Sequence, residues 1–346
     1  MSRYTSNSDP QSLIYSMQPS LRYNMPDLRR RIVEQALFRG AELTFANKDY
    51  LRTVRAILGT LLETDTLPRD ATVAALGIKN KPAAAQIIAR EPGVAAGLEE
   101  YAWLFRKHGL KVVLKKEDGD ILNTGDALVR VEGPQSKILT LERVGLNLLQ
   151  RMCGIATATK RMQERASQRC PATRVTGTRK TPWGLLDKRA LHLGGGGTHR
   201  LSLADGIVIK NNHLALIHRD EVRAAPAAVI KAWEKQRRTR FIEVEVRSED
   251  AAIAAAREFT RLKKAGGSRV HDYPCLVMLD NQMPEDVRRI IVALRREQVW
   301  DAILVEASGG ITETSAELYA DAEVDVISLG SLTHSPRALD LSQRPA

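Results

Sequence analysis

Three short segments hold the side chains best suited to chemistry: Thr176-Gly177-Thr178-Arg179-Lys180-Thr181-Pro182, Gly194-Gly195-Gly196-Gly197-Thr198-His199-Arg200 and Ile209-Lys210-Asn211-Asn212-His213. Arg179, Lys180, His199, Arg200 and Lys210 among them can be cationic at or near neutral pH. Apolar or glycine-rich stretches separate them, so different elements can aim several positive groups at one point. The matching ligand is a small polyanion bearing carboxylates or phosphates. Arg meets such groups with two parallel hydrogen bonds, and Lys serves as a point charge.

Such groups need a scaffold. Residues 1–24, rich in Ser, Asn, Tyr and Pro, read as an arm. Asp27 reads as the N-cap of a helix through Arg39, stopped by Gly40, with Leu28, Ile32 and Ala36 on one face and Arg29, Arg30 and Arg31 mostly outside. A second helix follows at 48–62. From 71 to 133 the pattern is mixed, with strands at 86–90, 111–115 and 127–132, a helix at 97–108 and a turn at Asp118-Gly119-Asp120. A long helical stretch, 138–165, leads into a half that alternates. Strands are expected at 173–178, 206–211, 241–246, 275–280, 302–307 and 324–329, with helices at 183–192, 221–236, 249–264, 284–297 and 312–321. This α/β alternation implies a parallel sheet, and six such strands suit an open or incomplete barrel.

Polar residues recur where these strands end: Arg179 and Lys180, Lys210, Glu245, Asp280, Ser308-Gly309-Gly310 and Gly330-Ser331. In parallel α/β barrels that rim carries the active site. Helix caps and turns explain Ser308, Gly309 and Gly330 well, but they explain buried Lys, Glu and Asp badly. In Phe241-Ile242-Glu243-Val244-Glu245-Val246 the period of two puts Glu243 and Glu245 on one face, toward the barrel interior. Glu245 and Asp280 near a phosphate site suggest Mg²⁺ held partly by water and substrate oxygens. The other reading pairs them with Lys210 or Lys180 in a structural network. Backbone N–H groups after the late strands can bind phosphate. His213, His271 and His334 are lone histidines. His271 takes no role, and His334 could touch phosphate.

Composition narrows the choice. The 346 residues include 52 Lys and Arg against 41 Asp and Glu, a net charge of +11. Dispersed basic residues and only 5% aromatics favour anionic small substrates over nucleic acid. Cys153, Cys170 and Cys275 form no metal-spaced set and read as reduced thiols of a cytosolic protein. No stretch has the length and apolarity of a membrane span.

The segments together resemble the quinolinate phosphoribosyltransferase family. The resemblance rests on Glu142-Arg143, Asn147-Leu148-Leu149-Gln150, Gly154-Ile155-Ala156-Thr157, Thr178-Arg179-Lys180-Thr181, Gly194-Gly195-Gly196 with His199-Arg200, Ile209-Lys210 with Asn212-His213, Glu243-Val244-Glu245-Val246, Met278-Leu279-Asp280-Asn281, Glu306-Ala307-Ser308-Gly309-Gly310-Ile311, and Ile327-Ser328, Gly330 and Leu332-Thr333-His334-Ser335. It implies an N-terminal sandwich-like α+β domain, an incomplete barrel and a site at a dimer interface. The implied reaction joins quinolinate to 5-phosphoribosyl 1-pyrophosphate and releases pyrophosphate and CO2. By resemblance, Arg143 reaches the partner's site, while Arg179, His199 and Arg200 grip the two carboxylates. Lys180 and Lys210 contact both ligands. Glu245 and Asp280 hold ribose hydroxyls and Mg²⁺, and Ser308, Gly309, Gly310 and Gly330 hold the 5-phosphate. The catalytic set is then Lys180, Lys210, Glu245 and Asp280. The implied limits are an arm at 1–24, an N-terminal domain at 25–145, a barrel at 146–332 and a tail at 333–346 returning to the first domain. The chain departs from the family in a shorter run from Thr181 to Asp187, in Thr198 where Asn is usual, and in a divergent 1–60. A molybdenum-transport-associated paralogue acting on another acid, and a non-catalytic barrel that binds anions or nucleic acid, are the alternatives.

Overall fold

The computed structural model describes residues 25–66, 69–78, 80–266 and 273–346, so the expected arm and His271 lie outside the described residues. Helices α1 (Met25–Leu37), α2 (Lys48–Thr66) and α3 (Ala71–Ala75) precede a small α+β unit. That unit contains β1 (Pro82–Ala89), β2 (Gly93–Val94), α4 (Leu98–Lys107), β3 (Lys111–Leu114), β4 (Ile121–Leu122) and β5 (Ala127–Pro134). Its main sheet pairs β1, β5 and β3 antiparallel, and β12 (Leu341–Pro345) comes back from the C-terminus to close the other edge of β1. Alternate residues of β1, Ala85, Ile87 and Ala89, are buried, as a half-covered strand requires.

Helix α5 (Gln135–Arg169) is continuous across residue 145, so the expected domain limit falls inside one helix that packs on both units. Beyond it come β6 (Arg174–Gly177), α6 (Leu185–Leu193), β7 (Ile207–Ile209), α7 (Asn211–Ile217), α8 (Glu221–Lys235), β8 (Ile242–Val246), α9 (Glu249–Gly266) and β9 (Cys275–Asp280). The chain continues through α10 (Pro284–Arg296), β10 (Leu304–Ser308), α11 (Ala316–Asp321), β11 (Val326–Leu329) and α12 (Ser331–His334). The six strands pair in parallel in the order β6-β11-β10-β9-β8-β7. This is a cyclic order opened between β6 and β7, an incomplete barrel. The glycine run spans part of that opening through a bridge from Thr176 to Gly197. It lies tight on α5: a Cβ on Gly194 would meet the Ala156 carbonyl oxygen at 2.3 Å.

Alternation along the strands layers the interior. Phe241, Leu276, Leu304, Val326 and Val208 form an apolar base with Val33, Ala36 and Leu37 of α1, which plugs that end. Above them lie Glu243 and Glu306, and Glu245, Asp280 and Ser308 reach the rim. The plug corrects the expected orientation of α1. Arg29 faces inward, its Nε donating to Asp325 Oδ1 at 2.7 Å and its guanidinium 3.9 Å from the Trp300 ring, while Leu28 is exposed. Ala36 is inward as expected, but the inward face is completed by Val33, Leu37 and Arg29, and Asp325 holds Arg29 there. That buried carboxylate, which also accepts the Val305 N–H, requires a cation. The helix also begins at Met25, so Asp27 sits in its first turn and is not the cap.

Candidate active site

A cavity of about 420 Å³ opens at the C-terminal rim of the barrel. Arg179, Lys180, His199, Arg200, Lys210, Glu245, Asp280, Ser308, Gly309 and Gly310 all line it, although 131 positions separate the first from the last in sequence. Gly330 stands at its edge, where a Cβ would lie 3.5 Å from Lys180 Cδ. Arg143 is elsewhere, exposed on α5 and outside the cavity wall.

One wall is cationic. Arg179 and Lys180 lie exposed on the loop after β6, and among the described residues neither side chain has a hydrogen bond or ion pair. Arg200 is buried and donates to the Gly206 carbonyl at 3.3 Å; burial, then the charge of Arg179, lowers its pKa. Lys188, 1% exposed on α6, donates to the Thr198 carbonyl. Burial and then Arg179 push its pKa down to about 7. These like charges crowd one another, an arrangement that a bound polyanion would relieve.

The opposite wall is acidic. Glu245 meets Lys210 Nζ at 3.3 Å and accepts the Asn211 N–H at 3.4 Å. Asp280 meets Arg247 Nε at 3.3 Å and accepts from Asn281 Nδ2 at 2.8 Å. Three of these four contacts are long, so carboxylate oxygens have capacity left for a cation. Two hard oxygen donors in an open cavity fit Mg²⁺, which keeps waters and substrate oxygens in its shell. Beside them, Gly309 adopts φ +90°, and a Cβ there would strike Asn281 Oδ1 at 2.4 Å, so only glycine fits this turn.

Under the cavity is a buried cluster that the sequence hid. His199 Nε2 lies 3.2 Å from Glu243 and 3.4 Å from Glu306. Ser328 donates to Glu306, and Thr176 contacts Ser328 at 3.0 Å. Neither imidazole contact is aligned as a hydrogen bond, and both Glu243 oxygens and one of Glu306 lack hydrogen-bond partners. Two adjacent buried carboxylates cannot both ionise cheaply. Burial, then the charge of Glu306, raises the Glu243 pKa. For Glu306, burial is outweighed by His199 and Ser328, and its pKa falls. For His199, burial opposes the charge, but Glu306 and Glu243 lift its pKa to about 9. Imidazolium with two carboxylates, and neutral imidazole with one carboxylic acid, have the same net charge of one negative. Geometry selects the second form, because His199 Nδ1 accepts the Arg200 N–H at 2.9 Å and must present a lone pair there. His199 lines the cavity with Nδ1 turned to the Arg200 N–H and Nε2 to the two carboxylates below.

His199, Glu243 and Glu306 are, among the described residues, the one His/Cys/Asp/Glu group of three at metal-ligand spacing. Glu306 lies two residues before Ser308 on β10, so the period of two turns it inward. His213 is structural, its Nδ1 accepting the Lys210 N–H at 2.9 Å. His334 packs on Gly330 and contacts Ser335 Oγ at 2.6 Å. All three cysteines are free. No helix among the described residues is long and apolar enough to cross a membrane.

Comparison with known proteins agrees with this geometry. Residues 70–153 match the N-terminal domain of quinolinate phosphoribosyl transferase, and residues 155–344 match its C-terminal domain. A probable nicotinate-nucleotide pyrophosphorylase [carboxylating] of Methanothermobacter thermautotrophicus is 38% identical over 288 residues, 83% of this chain and 96% of that protein. Its counterpart in Bacillus subtilis is 35% identical over 75% of this chain and 82% of its own length. The crystal structure of NadC from Streptococcus pyogenes superposes with a TM-score of 0.71 at 30% identity, covering 85% of this chain and 96% of that one. With both domains matched in order and the cavity at their expected rim, the chain belongs to the quinolinate phosphoribosyltransferase family.

Proposed function

We propose that the protein transfers the phosphoribosyl group of 5-phosphoribosyl 1-pyrophosphate to quinolinate, a step of NAD biosynthesis, giving nicotinate mononucleotide, pyrophosphate and CO2. The observation that carries this reading is the pairing of walls in one cavity: unpartnered Arg179 and Lys180 beside Arg200 on one side, Glu245 and Asp280 on the other. The cations suit an aromatic dicarboxylate and the phosphates. The carboxylates suit a ribose ring that gains positive charge as pyrophosphate leaves.

Arg179 and Arg200 hold the base so that its ring nitrogen faces the anomeric carbon. The nitrogen–carbon bond forms as the carbon–oxygen bond to pyrophosphate breaks, and Lys180 and Lys210 stabilise the departing anion. The positive ring nitrogen then stabilises the electron pair that stays on C2 as CO2 departs, and that pair takes up a proton. Glu245 and Asp280 hold the ribose hydroxyls and Mg²⁺, while Ser308, Gly309, Gly310 and Gly330 receive the 5-phosphate. Mg²⁺ bound there supplies neutralisation of pyrophosphate charge. Arg143, exposed on α5, serves the site of a second copy in a homodimer, or in a higher multiple of dimers. Three free thiols fit a reducing cytoplasm.

The test is pyrophosphate release from 5-phosphoribosyl 1-pyrophosphate and Mg²⁺ with quinolinate, compared with nicotinate. Rapid release with quinolinate alone is expected. No release with quinolinate, or equal use of nicotinate, overturns the reading.

A further inference from the structure

Arg179 and Lys180 are exposed cations of the site whose side chains have no hydrogen bond or ion pair among the described residues, so their placement depends on the backbone that carries them. We propose that Asp187 is a positioning residue that, through Arg151 and Thr181, fixes Lys180 against the Gly330 turn. This inference rests on the function proposed above.

Asp187 lies in the first turn of α6 and is wholly buried. It accepts two hydrogen bonds from Arg151, at 2.8 Å from Nε and 2.7 Å from Nη2, and a third from the Thr181 hydroxyl. The Thr181 oxygen in turn accepts the N–H groups of Trp183 and Gly184 at 3.2 and 3.1 Å, which folds the loop back on itself. Arg151 also donates from Nη2 to the Thr333 carbonyl at 2.8 Å. The Thr333 hydroxyl closes the circuit by donating to the Lys180 carbonyl at 2.9 Å. Lys180 is thus pinned at its own carbonyl and at the next residue, from two directions, by one connected network.

The network joins four separate elements: α5, α6, the loop after β6 and the short α12 after β11. A buried carboxylate with a bidentate guanidinium and a hydroxyl has all its partners and one favoured geometry. Lys180 meets the Gly330 turn directly, its Cδ 3.5 Å from the Cβ position of that glycine. Moving the loop by an ångström would misplace Lys180 relative to the phosphate end of the site, which costs about 100-fold in rate.

The experiment is a double-mutant cycle on kcat/KM for both substrates, with the wild type assayed alongside. Asp187→Asn is expected to lose about 100-fold in the wild-type background. In a Lys180→Ala background the same change should lose less than about threefold, because the group it positions is gone. A purely structural role would give the same loss in both backgrounds, and that result overturns the proposal, as does full activity of Asp187→Asn. Should Asp187→Asn fail to fold, Thr333→Val takes its place in the cycle, since it removes only the hydroxyl that holds Lys180. Its expected loss is about tenfold, again absent in Lys180→Ala. A wild type inactive with quinolinate would overturn the functional reading itself, whereas an active wild type with additive losses overturns the positioning role alone.

Discussion

The proton assigned to Glu243 makes two adjacent glutamates respond differently to the same change. Both are fully buried. Glu243→Gln exchanges a neutral acid for a neutral amide of the same shape, so the cost is one imperfect polar contact, about 1 kcal/mol. Glu306→Gln removes the one carboxylate charge of the cluster, on which His199 and the Ser328 hydroxyl converge. Breaking a buried charged partnership costs about 3–5 kcal/mol. The expected gap between the variants is thus about 2–4 kcal/mol. Urea unfolding measures it as a difference in midpoint at unchanged slope. The pH dependence has a definite sign. A raised folded-state pKa means that the stabilisation from protonated Glu243 is fully present below its ordinary value of 4.5 and is lost as pH rises through the folded value. The wild type should therefore lose stability relative to Glu243→Gln as pH increases. Equal costs for the two substitutions, or the opposite trend with pH, would mean that both carboxylates are ionised beneath an imidazolium, and the argument from the Arg200 N–H would fail.

Arg179→Ala and Arg200→Ala should each raise the quinolinate KM and lower kcat, by about 1.5–3 kcal/mol per charged hydrogen bond, as read from steady-state kinetics. EDTA should abolish turnover and Asp280→Asn should weaken the Mg²⁺ dependence; full activity without metal removes Glu245 and Asp280 from that role. Arg143→Ala and Lys180→Ala, each left with only a small residual activity alone, should recover activity when mixed and allowed to exchange subunits. Half the dimers are then mixed and each has one intact site, so about a quarter of wild-type sites return. Absence of recovery after demonstrated exchange would take Arg143 out of a shared site.

The sequence by itself determined the alternation of strands and helices, the rim and the residues that crowd it. These are local properties: period two turns Glu243 and Glu245 to one face, and a strand that ends in Asp280 or Ser308 delivers it to the same pole as its parallel neighbours. Tertiary structure decided what depends on partners far away in the chain. On α1 the inward place of Arg29, in line with the apolar Val33, Ala36 and Leu37, follows from Asp325, 296 positions away. The pairing of Glu243 with Glu306 exists because two strands and the His199 turn meet where both carboxylates are fully buried. The Arg151–Asp187 pair spans 36 residues and two helices, with no spacing that marks it. A periodic pattern records which way a side chain points, whereas burial and charge pairing are set by what the fold brings opposite it.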